Sequence, residues 1–170
     1  PAAAVAILEA NNAHPPMWLR VNRQLATTDE YLQRLKEAGF AAQRSACAPQ
    51  ALRLEVPTDV RNLPDFSAGY VSVQDAAAQL AAALLAPRAG DRVLDACAAP
   101  GGKTCHLLEL EPDIGELIAL DVSPVRLRKV QENLTRLNQR ATLIAGDAGE
   151  PGAWWDKRQF DRILLDVPCS

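Results

Sequence analysis

The stretch Arg92-Val93-Leu94-Asp95-Ala96-Cys97-Ala98-Ala99-Pro100-Gly101-Gly102-Lys103-Thr104 confines the chain to few architectures. Arg92 to Ala96 reads as a buried strand, Pro100-Gly101-Gly102 as a tight loop, and Lys103 to Leu110 as the opening of a helix. A strand that passes through a glycine loop straight into a helix turns free backbone N–H groups, and the positive end of the helix dipole, toward whatever the loop encloses. Asp121 ends the next apolar strand, 19 residues past Gly102, a spacing suited to an acid that accepts from a ribose hydroxyl. The pattern calls for a ligand that contains a nucleoside.

The rhythm around this motif is regular. Strands are predicted over 70–73, 92–96, 117–121, 141–145 and 161–166, and helices over 76–86, 103–110 and 124–137. Strands that alternate with helices imply an α/β fold with a doubly wound, mainly parallel Rossmann-like sheet. Such sheets bind ligands beyond the carboxyl ends of their strands. Asp95, Asp121, Asp147 and Asp166 stand at those ends in four successive units, a stronger signal than any one acid alone.

Ahead of this lies a smaller α+β pattern. Trp18 to Asn22 and Ala51 to Glu55 alternate like strands, and Thr27-Thr28-Asp29-Glu30 supplies a capping box for a helix that Gly39 can end. The expected division is a helical remnant and linker over 1–13, a β–α–β accessory module over 14–66, and the ligand-binding domain over 67–170, which breaks off after a motif at Ser170.

Composition narrows the rest. With 170 residues, 48% of them hydrophobic, the chain can bury a core without disulfides. Cysteines 47, 97, 105 and 169 form no C-x-x-C pair, and the two histidines offer no ligand spacing, so no metal site is expected. No apolar run reaches membrane-spanning length, which points to a cytoplasmic protein without a membrane partner. Net charge is −3, with +1 on residues 1–64 and −4 on 65–170, so a nucleic acid would have to be met by local patches. The chain is expected to act as a monomer.

Three ligands compete for the loop. Gly102-Lys103-Thr104 mimics the end of a phosphate loop and Ile163 to Asp166 a magnesium-binding strand, but Cys97 stands where the first glycine belongs, at a turn that a Cβ disfavours. A dinucleotide site would need a third glycine that A-P-G-G-K-T lacks. S-adenosylmethionine has no phosphates and calls for acids as much as amides. Asp121 then suits the ribose, Asp147 the adenine amino group, Lys103 and the loop N–H groups the carboxylate, and Asp166 the ammonium end or an incoming base. This reading alone explains the set of acids.

Leu94 to Thr104, Ala119-Leu120-Asp121, Gly146-Asp147 and Asp166-Val167-Pro168-Cys169-Ser170 resemble the successive motifs of the RNA 5-methylcytosine methyltransferases. PGGKT combined with D-x-P-C-S is the specific element. Pro15-Pro16-Met17-Trp18-Leu19-Arg20-Val21-Asn22 and Val73-Gln74-Asp75 look most like the bacterial small-subunit ribosomal RNA enzymes of the Sun/Fmu type. The resemblance runs from about His14 to Ser170. It implies an S-adenosylmethionine-dependent methyltransferase fold, an RNA partner, and cofactor contacts from Cys97, Ala98, Ala99, Pro100, Gly101, Gly102, Lys103, Asp121, Asp147 and Asp166, with Arg126 a weaker candidate. It also implies chemistry in which a cysteine thiolate adds to carbon 6 of cytosine so that carbon 5 can take the methyl group. In that family the Pro-Cys-Ser cysteine, here Cys169, assists product release. The attacking cysteine lies in a later Thr-Cys motif, so this fragment is expected to bind cofactor and methylate little or nothing. A cofactor-binding or nucleotide-binding module without transferase activity is the alternative.

Plainer readings stand beside these. Cys97 is as readily a packing residue as a reactive thiol, Cys105 a core residue, Cys47 a loop residue, and Asp95 a loop cap as much as a ligand contact. Arg126, Arg128, Lys129, Arg136 and Arg140 surround a helix whose apolar stripe is Leu127, Val130, Leu134 and Leu137, and read as a solvated face. Trp154-Trp155 read as loop anchors. Trp18, Arg20 and Arg23 are the better candidates for single-stranded RNA, which aromatic and guanidinium groups grip together.

Overall fold

The computed structural model describes residues 15–167 and, ahead of them, Ala4, Val5, Leu8 and Asn12, all four helical. The rest of the expected helical remnant, and Cys169 with its neighbours Pro168 and Ser170, lie outside the described residues. Eight strands form two sheets of four among the described residues.

The first sheet is antiparallel, in the order β2-β3-β1-β4, from β1 (Trp18–Val21), β2 (Ala42–Arg44), β3 (Ala51–Leu54) and β4 (Val71–Val73). Helix α1 (Thr28–Glu37) starts at the expected box: the Thr27 hydroxyl accepts from the Glu30 amide, and the Glu30 carboxylate accepts from the Thr27 amide at 2.7 Å. Gly39, at φ +84°, ends it, with the Phe40 amide donating back to Leu35 and the Gly39 amide to Lys36. One face of the sheet, Leu19, Val21, Leu52 and Leu54, packs on Tyr31 and Leu35 of α1.

Two features differ from the sequence reading. Strand β2 was not expected, because its three residues, Ala-Gln-Arg, form a polar edge with no alternation to read. It pairs with β3, which in turn pairs with β1, so β1, α1 and β2 form a split β–α–β unit with β3 between its two parallel strands. Residues 70–73, grouped by rhythm with the alternating series, pair as β4 with β1, Leu19 opposite Val73. Local pattern shows that a strand exists but not which edge accepts it.

The second sheet is wholly parallel, in the order β7-β6-β5-β8, from β5 (Arg92–Ala96), β6 (Glu116–Asp121), β7 (Thr142–Ala145) and β8 (Arg162–Leu165). Helices α2 (Ala76–Leu85), α3 (Gly102–Leu110) and α4 (Pro124–Arg136) bury Ala82, Leu107, Leu127, Val130 and Leu134 against Val93, Leu117, Ala119 and Leu164. The opposite face, Leu94, Ala96, Ile118 and Leu120, is met by Ile144, Trp154 and Phe160, so the tryptophan does anchor its loop on the sheet. The chain leaves β5 in one direction to build β6 and β7 and returns to place β8 on its other side. A crevice forms at such a switch point, above the carboxyl ends.

The two units meet across the second face of the antiparallel sheet. Trp18 packs with Ala48, Ala51, Ala76 and Leu80. Arg20, fully buried, forks onto Glu109 of α3 at 2.9 and 2.6 Å. Its remaining nitrogen donates to the Gln74 side chain at 2.5 Å and the Gly102 carbonyl at 2.6 Å. Gln24 donates to the Leu108 carbonyl, and His106 Nε2 meets Gln50 Oε1 at 2.8 Å. Arg136 stacks on Phe66 and donates to the Phe66 and Val71 carbonyls and the Ser72 hydroxyl. Two sequence readings are corrected here. Arg20 cannot face RNA, because it is sealed in the joint, and Arg136 is a bridge rather than part of a solvated face. Of the three RNA candidates, Trp18 is half-buried and Arg23 alone is exposed.

Asp95, at the end of β5, docks the first turn of α3: its Oδ2 accepts from the Thr104 hydroxyl at 2.6 Å, while Oδ1 is buried without a partner among the described residues. Burial outweighs that hydrogen bond and lifts its carboxyl from the ordinary 3.8 to about 6. A folded-state value above the unfolded one means stability that is whole below about pH 4 and is lost as pH rises through about 6. Asp95→Asn should therefore gain on the parent by about 2–3 kcal/mol between pH 4 and pH 7 in urea unfolding; a parent–variant difference that is flat across that range would contradict this. Arg20→Ala, which leaves Glu109 buried without its cation, should lower stability by about 3–5 kcal/mol, whereas Arg20→Met with Glu109→Leu should cost far less. Equal losses in the two proteins would show that the pair is not the joint's chief constraint.

Candidate cofactor site

The loop between β5 and α3 is held by almost every polar group it has. Cys97 adopts φ +68° and Gly101 φ +100°, and a Cβ on Gly101 would come within 3.0 Å of the Val130 backbone on α4. The Ala98 amide donates to Leu120, the Gly101 amide to Ala98, and the Ala99 amide to Asp121 Oδ2 at 3.1 Å, while Pro100 has no N–H. Its carbonyls are tied as firmly: Ala99 to Arg126, Pro100 to Asn133, Gly102 to Arg20. The N–H groups of Gly102, Lys103 and Thr104, at the open end of α3, have no acceptor among the described residues.

This arrangement bears on the ligand. A phosphate loop needs its amides turned inward, and here those of residues 98–101 are engaged internally or missing. The objection that a Cβ disfavours the turn at position 97 does not hold, because Cys97 occupies that turn at a cost of about 1–2 kcal/mol. What argues against phosphate is the use already made of the amides.

Above the loop a cleft of about 650 Å³ is lined by Cys97, Ala99, Asp121, Arg126, Asp147 and Asp166, together with Leu120, Val122, Gly146, Ala148, Gly149 and Val167. A smaller cavity of about 170 Å³ adjoins it, lined by Gln74, Asp95, Ala98, Pro100, Gly102 and Lys103, and shares Cys97, Ala99 and Asp166 with it. Of the ten candidate residues, nine therefore line one of the two. Gly101 lines neither, and serves the turn and the contact with α4.

The acids differ in character. Asp121 is buried, and both its oxygens already accept, from the Ala99 amide and from the Ser123 amide at 3.0 Å. It braces the loop against the start of α4, and its remaining lone pairs face the cleft beside Arg126, 3.6 Å away. Asp147 is exposed and accepts from the Gly149 amide at 2.8 Å. Asp166 pairs with Lys103 across the gap between β8 and α3. Burial, and then the carboxylates of Asp121 and Asp95, raise the Cys97 thiol above its ordinary 9.0, and burial pushes Cys105 up to about 12. Neither thiol is poised as a nucleophile.

Val122, Ala148, Gly149, Val167 and Gln74 were not singled out as site residues by sequence reasoning. Val122 and Ala148 directly follow the flagged acids, and a rule that the residue after each strand-end acid also faces the crevice would have found them. Gln74 carries no such signal, since β4 brings it in from the other sheet.

A family model described as 16S rRNA methyltransferase RsmB/F matches residues 82–170, and one described as the ferredoxin-like domain of RsmF/B-like methyltransferases matches residues 1–61. The chain is 56% identical over 165 residues to ribosomal RNA small subunit methyltransferase B of Pseudomonas syringae pv. tomato, spanning 97% of itself and 37% of that protein. It is 56% identical over 164 residues to the protein of that name from Vibrio cholerae, spanning 96% of itself and 38% of that relative. A solved methyltransferase homologue from Pyrococcus horikoshii superposes with a TM-score of 0.83 at 33% identity, over 95% of this chain and 53% of the other. The match over 82–170 covers more than half of the chain, on the same strands and loop that build the cleft, and the chain belongs to the 16S rRNA methyltransferase RsmB/F family.

Proposed function

We propose that this chain is the S-adenosylmethionine-binding part of an enzyme that methylates carbon 5 of a cytosine in small-subunit ribosomal RNA. The observation that carries the reading is the set of groups lining the cleft: carboxylates at three strand ends, one of them buried beside the loop, and a loop whose amides at residues 98–101 are not offered to phosphate. That chemistry fits an uncharged ribose and adenine joined to a zwitterionic amino acid. In this reading β5–β8 with α2–α4 form the methyltransferase unit, and β1–β4 with α1 form the accessory module, which reaches past the expected boundary at 66 to Val73.

S-adenosylmethionine, when bound, supplies an electrophilic methyl group. Asp121 would accept from the ribose hydroxyls with the lone pairs not used by Ala99 and Ser123. Val122 would lie against the adenine, and Asp147 would accept from its amino group. The free amides of Gly102 and Lys103, with the Lys103 ammonium, would receive the carboxylate. Asp166, freed from Lys103, would accept from the ammonium end or the incoming base. Cys169 would take the assisting part, and the attacking cysteine would be that of a Thr-Cys motif later than Cys169, since Cys105, which also follows a threonine, is buried with its thiol pushed up to about 12. RNA contact falls to exposed cations such as Arg23, Arg128, Lys129 and Arg140.

Calorimetric titration with S-adenosylmethionine and with ATP tests the cofactor. The parent should bind the first and not the second, and Asp121→Ala, checked for a cooperative melt, should weaken binding roughly tenfold or more. ATP binding, or a folded variant that binds as the parent does, would overturn the ribose assignment. Transfer of labelled methyl to small-subunit RNA by a longer chain that includes the Thr-Cys motif, and little or none by this chain, is the expected pattern of activity. Uptake that persists when cytosine carbon 5 is already methylated would rule out the proposed position.

A further inference from the structure

Arg20 lines neither the cleft nor its side cavity, yet it touches the loop at the point where the proposed ligand's carboxylate would be met. We propose that Arg20, from the accessory sheet, is a positioning residue for the carboxylate end of the cofactor subsite. The inference rests on the S-adenosylmethionine reading above and adds to it which part of the ligand the accessory sheet controls.

The geometry is specific. The guanidinium donates to the Gly102 carbonyl at 2.6 Å, and that carbonyl belongs to the same peptide plane as the Lys103 N–H. The two groups of a trans peptide point in opposite directions, so holding the oxygen from behind aims the N–H at the open end of α3. A positive charge on the oxygen also polarises the amide and makes its N–H a stronger donor. The rest of the fork prevents the guanidinium from moving. Its Nε and second terminal nitrogen grip Glu109 at 2.9 and 2.6 Å, and Gln74 accepts at 2.5 Å from the nitrogen that serves Gly102. The Gly102 carbonyl points down α3 while the Glu109 side chain leans back along it, so one residue of the other sheet clasps two turns of this helix. Gln74 is fixed in turn, because Gln79 donates to its backbone carbonyl at 3.0 Å. Arg20 also has no solvent exposure, which leaves this contact undiluted by water.

A residue that merely held the two units together would affect every ligand of the cleft equally. A residue that aims the Lys103 amide affects the part of the ligand that this amide meets. Two probes separate these roles: S-adenosylmethionine, and 5′-methylthioadenosine, which keeps the adenine, ribose and sulfur but lacks the amino-acid end. In the variant Arg20→Met/Glu109→Leu, which replaces the ion pair with apolar groups of similar bulk, calorimetry should show S-adenosylmethionine bound roughly tenfold more weakly and methylthioadenosine within about twofold of the parent. Equal weakening of both ligands, or weakening of neither, would overturn the proposal. If the double variant does not melt cooperatively, Arg20→Lys is measured instead, since it keeps a charge against Glu109 but cannot fork to Gly102 as well, and the same split is required of it. A parent that binds neither probe would instead sink the cofactor assignment itself, and this inference with it.

Discussion

A single guanidinium, fully buried between a β-sheet and a helix, decides how the two halves of this protein fit together. Burying a charge is tolerable only when its hydrogen-bonding capacity is met, and Arg20 meets it with Glu109, Gln74 and Gly102. That demand fixes the antiparallel sheet on α3 in one orientation, because apolar packing of Trp18 on alanines would tolerate sliding and a three-partner fork does not. Arg136 repeats the device on a smaller scale, stacking on Phe66 and tying α4 to the far end of the same sheet. The accessory sheet is therefore part of the scaffold that shapes the loop.

The loop shows the same economy of design: its carbonyls are drawn outward by Arg126 and Asn133 of α4 and by Arg20 of β1 in the other sheet. What remains unpaired is the end of α3, where a helix terminus already favours negative charge. Asp121 illustrates how one residue serves structure and site together. Its carboxylate joins the loop to the start of α4 and keeps lone pairs toward the cleft, so its substitution would disturb both. Cys97 stands at the same turn with a thiol raised by burial and by nearby carboxylates, which suits a backbone role rather than chemistry.

Much of the fold was legible in the chain. The capping box at Thr27, the glycine stop at Gly39, the strand–helix alternation from Arg92 onward and the acids at successive strand ends are local or periodic signals, and each element formed close to where its pattern placed it. The gathering of nine candidate residues around two adjoining cavities followed from the parallel topology, which brings all carboxyl ends of the strands to one edge. The short strand β2 escaped notice because three polar residues on an edge carry no period. The role of Gln74 escaped because its partner lies 54 residues away in sequence.

The sequence by itself determined every α-helix and every strand but β2, that the main sheet is parallel, and where its ligand-binding edge lies. Those properties depend on apolar period, capping chemistry and the handedness of crossovers, all of which act over short stretches of chain. Only the tertiary structure decided the fate of the charges. Arg20 reads in sequence like any surface arginine beside an aromatic, and Arg136 like any cation on the wet side of a helix. Arg20 is a buried link and Arg136 a half-buried one instead, because a guanidinium's place depends on which distant carboxylates and carbonyls the folded chain brings within reach, and no local pattern encodes that meeting.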